Sequence, residues 1–254
     1  MPAHLAVDIL RSIALIALGA VVSSYSTVVG GGAIILLPIF SLMGLPLLVA
    51  IATMRLVSSL SQSVGVVAFA RKGAIQWKPA LWGALFAIPG AYFGAKLVLR
   101  LNPHVLSHVI AVCMILILIG AFRFNKNSLA NRPENQWFYW LMAIFCVVLG
   151  VYGGFYGVAF STVVMVLFIS LGGQDLLTAS GSASVVTVAM SLAATYPFLH
   201  ARVVDWKVFW PVVIGATIGA WLGVDIASRY GFSWIRGLMV VVLVGSVAKL
   251  LIWP

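Results

Sequence analysis

A single gapless register relates the two parts of this chain: Trp77 falls on Trp206, 129 residues later, and the match holds across four apolar segments. Ser41-Leu42, Gly44, Leu47-Leu48, Ala50 and Val57 recur as Ser170-Leu171, Gly173, Leu176-Leu177, Ala179 and Val186. Trp77-Lys78, Ala87, Gly90-Ala91, Gly94 and Arg100 recur as Trp206-Lys207, Ala216, Gly219-Ala220, Gly223 and Arg229. An apolar composition produces chance matches of Leu and Ala. It does not readily produce a Trp-Lys pair and a Gly-Ala-x-x-Gly block at one shared offset. A duplicated membrane unit is a common plan for carriers, which hold a ligand between two related halves and rock one against the other. Transport therefore leads the functional expectations.

Only 8% of the residues are charged, 63% are hydrophobic, and the mean hydropathy is +1.15. A soluble domain carries roughly a quarter charged residues, so lipid is the solvent here. The formal charge of +10 suggests nucleic acid at first sight. The basic residues stand singly or in pairs between apolar segments, with no basic stripe, and that excludes such a partner. Cys113 and Cys146 lie inside apolar segments and read as small core residues with no disulfide framework. Arg11 before an apolar run imitates a signal peptide, but the run continues past Ser23 to Leu42 and reads as a retained first segment.

Apolar segments cover about 12–42, 47–70, 79–99, 104–122, 137–170, 175–199, 208–228 and 232–253. The expected fold is an all-α integral membrane protein of about eight transmembrane segments. It would have two homologous four-segment halves, residues 1–122 and 137–254, joined by the hydrophilic linker 123–136. Segments 12–42 and 137–170 exceed the roughly 20 residues of one span. Each carries small and polar residues mid-way: Ser23-Ser24-Tyr25-Ser26-Thr27 and Gly30-Gly31-Gly32 in one, Tyr152 to Gly157 and Ser161-Thr162 in the other. They are either tilted spans or helices that are broken or re-entrant, and a break is tolerated only where the freed backbone faces protein or a wet cavity.

Loop charges set an expected orientation. With eight spans and both termini in the cytoplasm, Arg11, Arg71, Lys72, Lys78, Arg123, Lys126, Arg132, Arg202 and Lys207 lie inside, against Lys96, Arg100, Arg229 and Arg236 outside. The halves are then parallel. If the long segments are re-entrant hairpins, each half crosses three times, the halves are inverted, and the split becomes five against eight.

Gly30-Gly31-Gly32 with Pro38, Ala50-x-Ala52-Thr53, Lys72-Gly73-x-Ile75-x-Trp77 and Gly90-Ala91-x-x-Gly94-Ala95 follow in order through the first half. Weaker copies occur at Gly150, Gly154 and Gly157, Gly181 to Ser184, Val204-Asp205-Trp206 and Gly219-Ala220-x-x-Gly223. Over nearly its whole length the chain resembles the TauE/SafE family of sulfite and organosulfonate exporters. That resemblance implies export of a small, mostly sulfur-containing anion across the inner membrane, driven by the proton gradient. One departure is that Ala159-Phe160-Ser161 and Leu167 stand where the first half has its glycine run and Pro38, so the halves contribute unequally.

An anion carrier needs donors and positive potential deep in the membrane. Arg55 lies about 12 Å into its segment at 1.5 Å per residue. An unpaired charge at such depth costs on the order of 2.5–3.5 kcal/mol. The alternative is that it snorkels to the headgroups. At helical spacing Arg55, Ser58, Ser59 and Gln62 share a face, as do Ser180, Ser184, Thr187 and Ser191 in the repeat. Such hydroxyls also bond their own backbone or neighbouring helices. A break at Gly30, Gly31 and Gly32 would aim N–H groups and a positive helix end at an anion. Tyr25 and Tyr156 flank the two breaks as donors or core aromatics. The expected substrate-binding set is thus Arg55, Ser58, Ser59, Gln62, Gly30, Gly31, Gly32, Tyr25, Tyr156, Ser184 and Thr187.

His104 and His108, four apart, lack a third ligand and read as interfacial, so neither metal nor cofactor is expected. Asp225 sits near a segment end and reads as solvated. The segments hold no His-Glu-x-x-His, no intramembrane aspartate pair and no Gly-x-Ser-x-Gly, which argues against an enzyme. Two alternatives stand: a membrane assembly or regulatory subunit that does not transport, and an importer or channel for another small anion.

Overall fold

The computed structural model of the chain describes residues 2–100, 136–157 and 160–230. Segments 104–122 and 232–253, the linker up to residue 135, and His104, His108, Cys113 and Ala159 lie outside them. The described residues form eight helices and no strand: α1 Pro2–Val29, α2 Gly32–Leu42, α3 Leu47–Arg71, α4 Trp77–Val98, α5 Gln136–Phe155, α6 Phe160–Gly172, α7 Leu176–His200 and α8 Trp206–Tyr230. Five are long and apolar enough to cross a membrane: α1 from Ile9, α3, α4, α7 and α8. Helix starts recur at the offset of the sequence repeat, Leu47 with Leu176 and Trp77 with Trp206.

Local chemistry explains the helix ends. Asp175 accepts from the N–H groups of Leu177 (3.1 Å) and Thr178 (3.2 Å) ahead of α7. Asp205 does the same for Lys207 (2.9 Å) and Val208 (3.2 Å) ahead of α8. The long segment 12–42 is divided where Gly30 and Gly31 take φ of 87° and 79°, which side chains disfavour. Segment 137–170 is divided after Gly157, at φ 64°.

Glycine sets the main helix pairs. On α8, a Cβ at Gly215, Gly219 or Gly223 would strike the carbonyls of Ile16, Ala20 or Ser24 of α1. On α4, a Cβ at Gly90 or Gly94 would strike those of Val147 or Val151 of α5. The Gly-Ala-x-x-Gly blocks are therefore close-packing faces. The first helix of each sequence repeat packs chiefly on the last described helix of the other, and α3 packs on α7 at the centre. Leu81, Leu85, Ile144, Trp210 and Ile214 remain exposed on the outside, as suits contact with lipid.

These contacts also fix directions. Residues 16, 20 and 24 of α1 meet 215, 219 and 223 of α8 in rising order, so the two helices run alike. So do α3 and α8: Thr53 accepts from the Asp205 N–H (3.0 Å) near their starts, and Lys72 meets Asp225 at 2.8 Å near their ends. With α1 and α3 pointing the same way, the chain must come back through α2. A Cβ on Gly32 would meet Ser26, six residues earlier, as a fold-back of α2 on α1 requires. Likewise α5 runs with α4, and α4 with α7, where Gln76 meets Ser182 (3.2 Å) and Tyr92 meets Tyr196 (ring centroids 6.4 Å apart).

This corrects the eight-span layout. Lys72 and Arg229 were expected on opposite faces, yet both pair with Asp225, at 2.8 and 2.9 Å. Hydropathy cannot distinguish a long tilted span from a hairpin of the same length. At the other end Lys96, the repeat counterpart of Asp225, lies over the Tyr92 ring at 4.5 Å.

Single cysteines replacing Lys78 and Arg229 in a cysteine-free background should react with an impermeant maleimide from the same face of the membrane. Labelling from opposite faces would refute these helix directions. Gly94→Ala should cost about 1–3 kcal/mol through overpacking, seen as a lower melting temperature in detergent.

Candidate functional site

Each broken segment leaves backbone groups that no helix satisfies, and in a bilayer these must be paired within the protein. At the tip of α1, the carbonyls of Thr27, Val28 and Val29 accept from Ser184 (3.4 Å), Ser180 and Thr162 (2.7 Å), all from beyond residue 136. At the tip of α5, the Gly153 carbonyl accepts from Arg55 Nη2. Arg55 is the register counterpart of Ser184, whose hydroxyl donates to Ser180 O at 2.9 Å and only approaches Thr27 O at 3.4 Å. The α1 end is thus held mainly by the neutral hydroxyls of Ser180 and Thr162, the α5 end by a cation placed where the negative end of a helix dipole favours it.

Arg55 does not snorkel. It is 3% exposed, with Nη1 at 3.7 Å from Met190 Sδ, and its guanidinium packs against Gly157. Met190 is the register counterpart of Ser61, so the α3–α7 crossing centres on Ser58 and Thr187, near the middle of both helices. The site therefore lies deep in the bundle. Nε of Arg55 has no partner, and neither do Oε1 of Gln62 or Oγ of Ser191, both buried. A buried polar group left unpaired costs about 1–3 kcal/mol, and more when charged.

These groups line a cavity of about 60 Å³. Ser23 and Ser26 of α1, the glycines at 30 to 32, Ser58, Ser61 and Gln62 of α3, Ser161 of α6, and Thr187 and Ser191 of α7 supply its polar wall. Met54, Phe160 and Met190 supply apolar surface. Since about 10–15 Å³ of such space holds one water, there is room for an ion of roughly four or five heavy atoms.

Of the residues the sequence singled out, Arg55, Ser58, Gln62, Gly30, Gly31, Gly32 and Thr187 line this cavity, and Tyr25, Tyr156, Ser59 and Ser184 do not. Ser59 donates to Leu56 O (2.8 Å), Ser184 also to Ser180 O (2.9 Å), and Tyr156 is buried in the apolar core. Tyr25 is buried in the same way, although its hydroxyl lies 3.6 Å from the place a Cβ on Gly31 would take. Ser23, Ser26, Ser61, Ser161, Ser191 and Gly157 were missed. The spacing of Gly19, Ser23 and Ser26 on one face of α1 carried that signal.

Only one such cavity is expected from a two-fold plan this uneven. The counterparts of Ser23 and Ser26 are Tyr152 and Phe155, which are bulkier. Among the described residues that line the cavity, Arg55 is the one cation, set among hydroxyls and glycines. The family profile named Sulfite exporter TauE/SafE matches residues 15–250.

The chain belongs to the TauE/SafE family. It is 26% identical over 229 residues to the "Probable membrane transporter protein ORF9" of Sinorhizobium sp., covering 90% of this chain and 87% of that one. It is 24% identical over 238 residues to a "Probable membrane transporter protein" of Haemophilus influenzae, covering 93% and 92%. A third relative, "Probable membrane transporter protein YdhB" of Bacillus subtilis, is 23% identical over 198 residues, covering 76% and 80%. No solved structure matches the chain. As a TauE/SafE member it is a multi-pass membrane transporter with a small-molecule substrate.

Gly157→Ala would place a methyl group on the Arg55 guanidinium at a left-handed φ. The conformation alone costs about 1–2 kcal/mol. Thermal denaturation in detergent should show at least that loss, and a substitution that left stability unchanged would contradict the contact between Gly157 and Arg55.

Proposed function

We propose that this TauE/SafE protein exports a small sulfur oxyanion, sulfite or an organosulfonate, across the cell's inner membrane by alternating access. The observation that carries the reading is the buried Arg55, which lines the central cavity and whose Nε has no hydrogen-bond partner. Arg55 offsets the anion's charge. The hydroxyl of Ser58 and the N–H groups at the α2 start replace its water, as deeply buried anions require.

The moving parts are two inverted repeats, residues 1–122 and 137–254, joined by the linker 123–136. Helices at equivalent repeat positions, α1 and α5 or α3 and α7, run in opposite directions, which supports this reading. Three crossings per repeat leave both termini on one face. Arg71, Lys72, Lys78, Arg123, Lys126, Arg132, Arg229 and Arg236 then share the linker's face, against Arg11, Lys96, Arg100, Arg202 and Lys207. The positive-inside rule makes the linker's face cytoplasmic, reversing the orientation expected from eight spans.

Purified protein should be stabilised by sulfite or an organosulfonate, by about 2.7 kcal/mol at a hundred times the dissociation constant. In proteoliposomes the same anion should be carried. Arg55→Ala should abolish both effects, with folding checked by gel filtration. Undiminished transport by that variant would defeat the assignment.

A further inference from the structure

The charge of the ion that fits the cavity follows from the wall around it. Arg55 is the one charged side chain among the lining residues. The helix termini add nothing net. Each tip joins the end of one helix to the start of the next, α1 to α2 and α5 to α6. The partial charges of about −0.5 and +0.5 at such a junction sum to no net charge, although each acts locally on the group it faces. What remains is one positive charge, fixed by its bond to Gly153 and with Nε still open. A buried charge is tolerated when paired one to one, and a second unmatched charge in a low-dielectric site is heavily penalised.

Among the described residues, the cavity wall holds no acid and no histidine. The five acids of the chain are Asp8, Glu134, Asp175, Asp205 and Asp225, and the four histidines are His4, His104, His108 and His200. None falls in the middle of an apolar segment. Asp175 and Asp205 are spent on helix caps and Asp225 on Lys72 and Arg229.

We infer that the site accepts its oxyanion in the singly charged form, a sulfonate or hydrogensulfite, and rejects doubly charged oxyanions. This rests on the proposed anion site and adds the charge state of the occupant. When hydrogensulfite is carried, the proton that leaves the cell is the substrate's own, bound to it throughout. No side chain takes it up or releases it. A sulfonate crosses without any proton, moving one negative charge outward per turnover.

The test uses the full-length purified protein and three probes: methanesulfonate, singly charged at every working pH; sulfate, doubly charged; and sulfite, scanned through its second ionisation. Dissociation constants are read from ligand-dependent melting shifts. Methanesulfonate should bind at least about tenfold more tightly than sulfate, with no pH dependence across the scan. Sulfite should weaken about tenfold per pH unit above its ionisation, following the hydrogensulfite fraction. Sulfate binding as tight as methanesulfonate, or sulfite binding that holds or improves as pH rises, would overturn the inference and leave the anion site standing. Absence of a shift with all three would remove the anion site and the inference together.

Discussion

The bonds that close off the broken ends of α1 and α5 are what the remaining structure is arranged around. A helix interrupted inside a bilayer leaves carbonyls and amides with no water to turn to. In this fold they are met by side chains from across the molecule: Ser180, Ser184 and Thr162 at one tip, Arg55 at the other. Because each tip is held by helices of the other repeat, neither repeat can finish its own fold. The crossed packing of α1 on α8 and α5 on α4 is the global form of the same dependence.

The same bonds explain why the site is one-sided. Hydroxyls suffice to hold the α1 end, as those of Ser180 and Thr162 do. The guanidinium that holds the α5 end adds a charge and further donors. Room for a ligand then depends on small residues nearby. Ser23, Ser26 and the glycines leave it on one side, while the residues at the equivalent positions of the other repeat, Tyr152 and Phe155, are bulkier. The Met190 sulfur and Phe160 make the remaining wall apolar, which keeps the local dielectric low and strengthens whatever Arg55 holds.

Much of this was legible in the residues. The register from Trp77 to Trp206 anticipated the shared helix bounds, the glycine run marked the break, and the depth of Arg55 marked the centre. The folding back of α2 on α1 was not legible, because a run of some thirty apolar residues has the same hydropathy straight, tilted or doubled over. The loop-charge count inherited that ambiguity, since one unseen return reverses every later loop. Helical spacing placed Ser59 and Ser184 on the polar faces of α3 and α7, but it could not tell a serine facing a cavity from one bonded to backbone. Ser23 and Ser26 were passed over because what faces them, α2 and α3, is brought there by the hairpin itself.

The pairing of Arg55 with Ser184 as register counterparts also bears on how such a molecule can arise. A dimer of identical subunits carries every side chain twice: two arginines at its centre or none. Two would face a small shared volume with mutual repulsion and no acid to separate them; none would leave the volume neutral. One central charge is open only to a chain in which the two copies are covalently joined and free to differ. The linkage of the repeats is thus more than a tether, because it is the condition under which a two-fold scaffold can hold an odd number of charges.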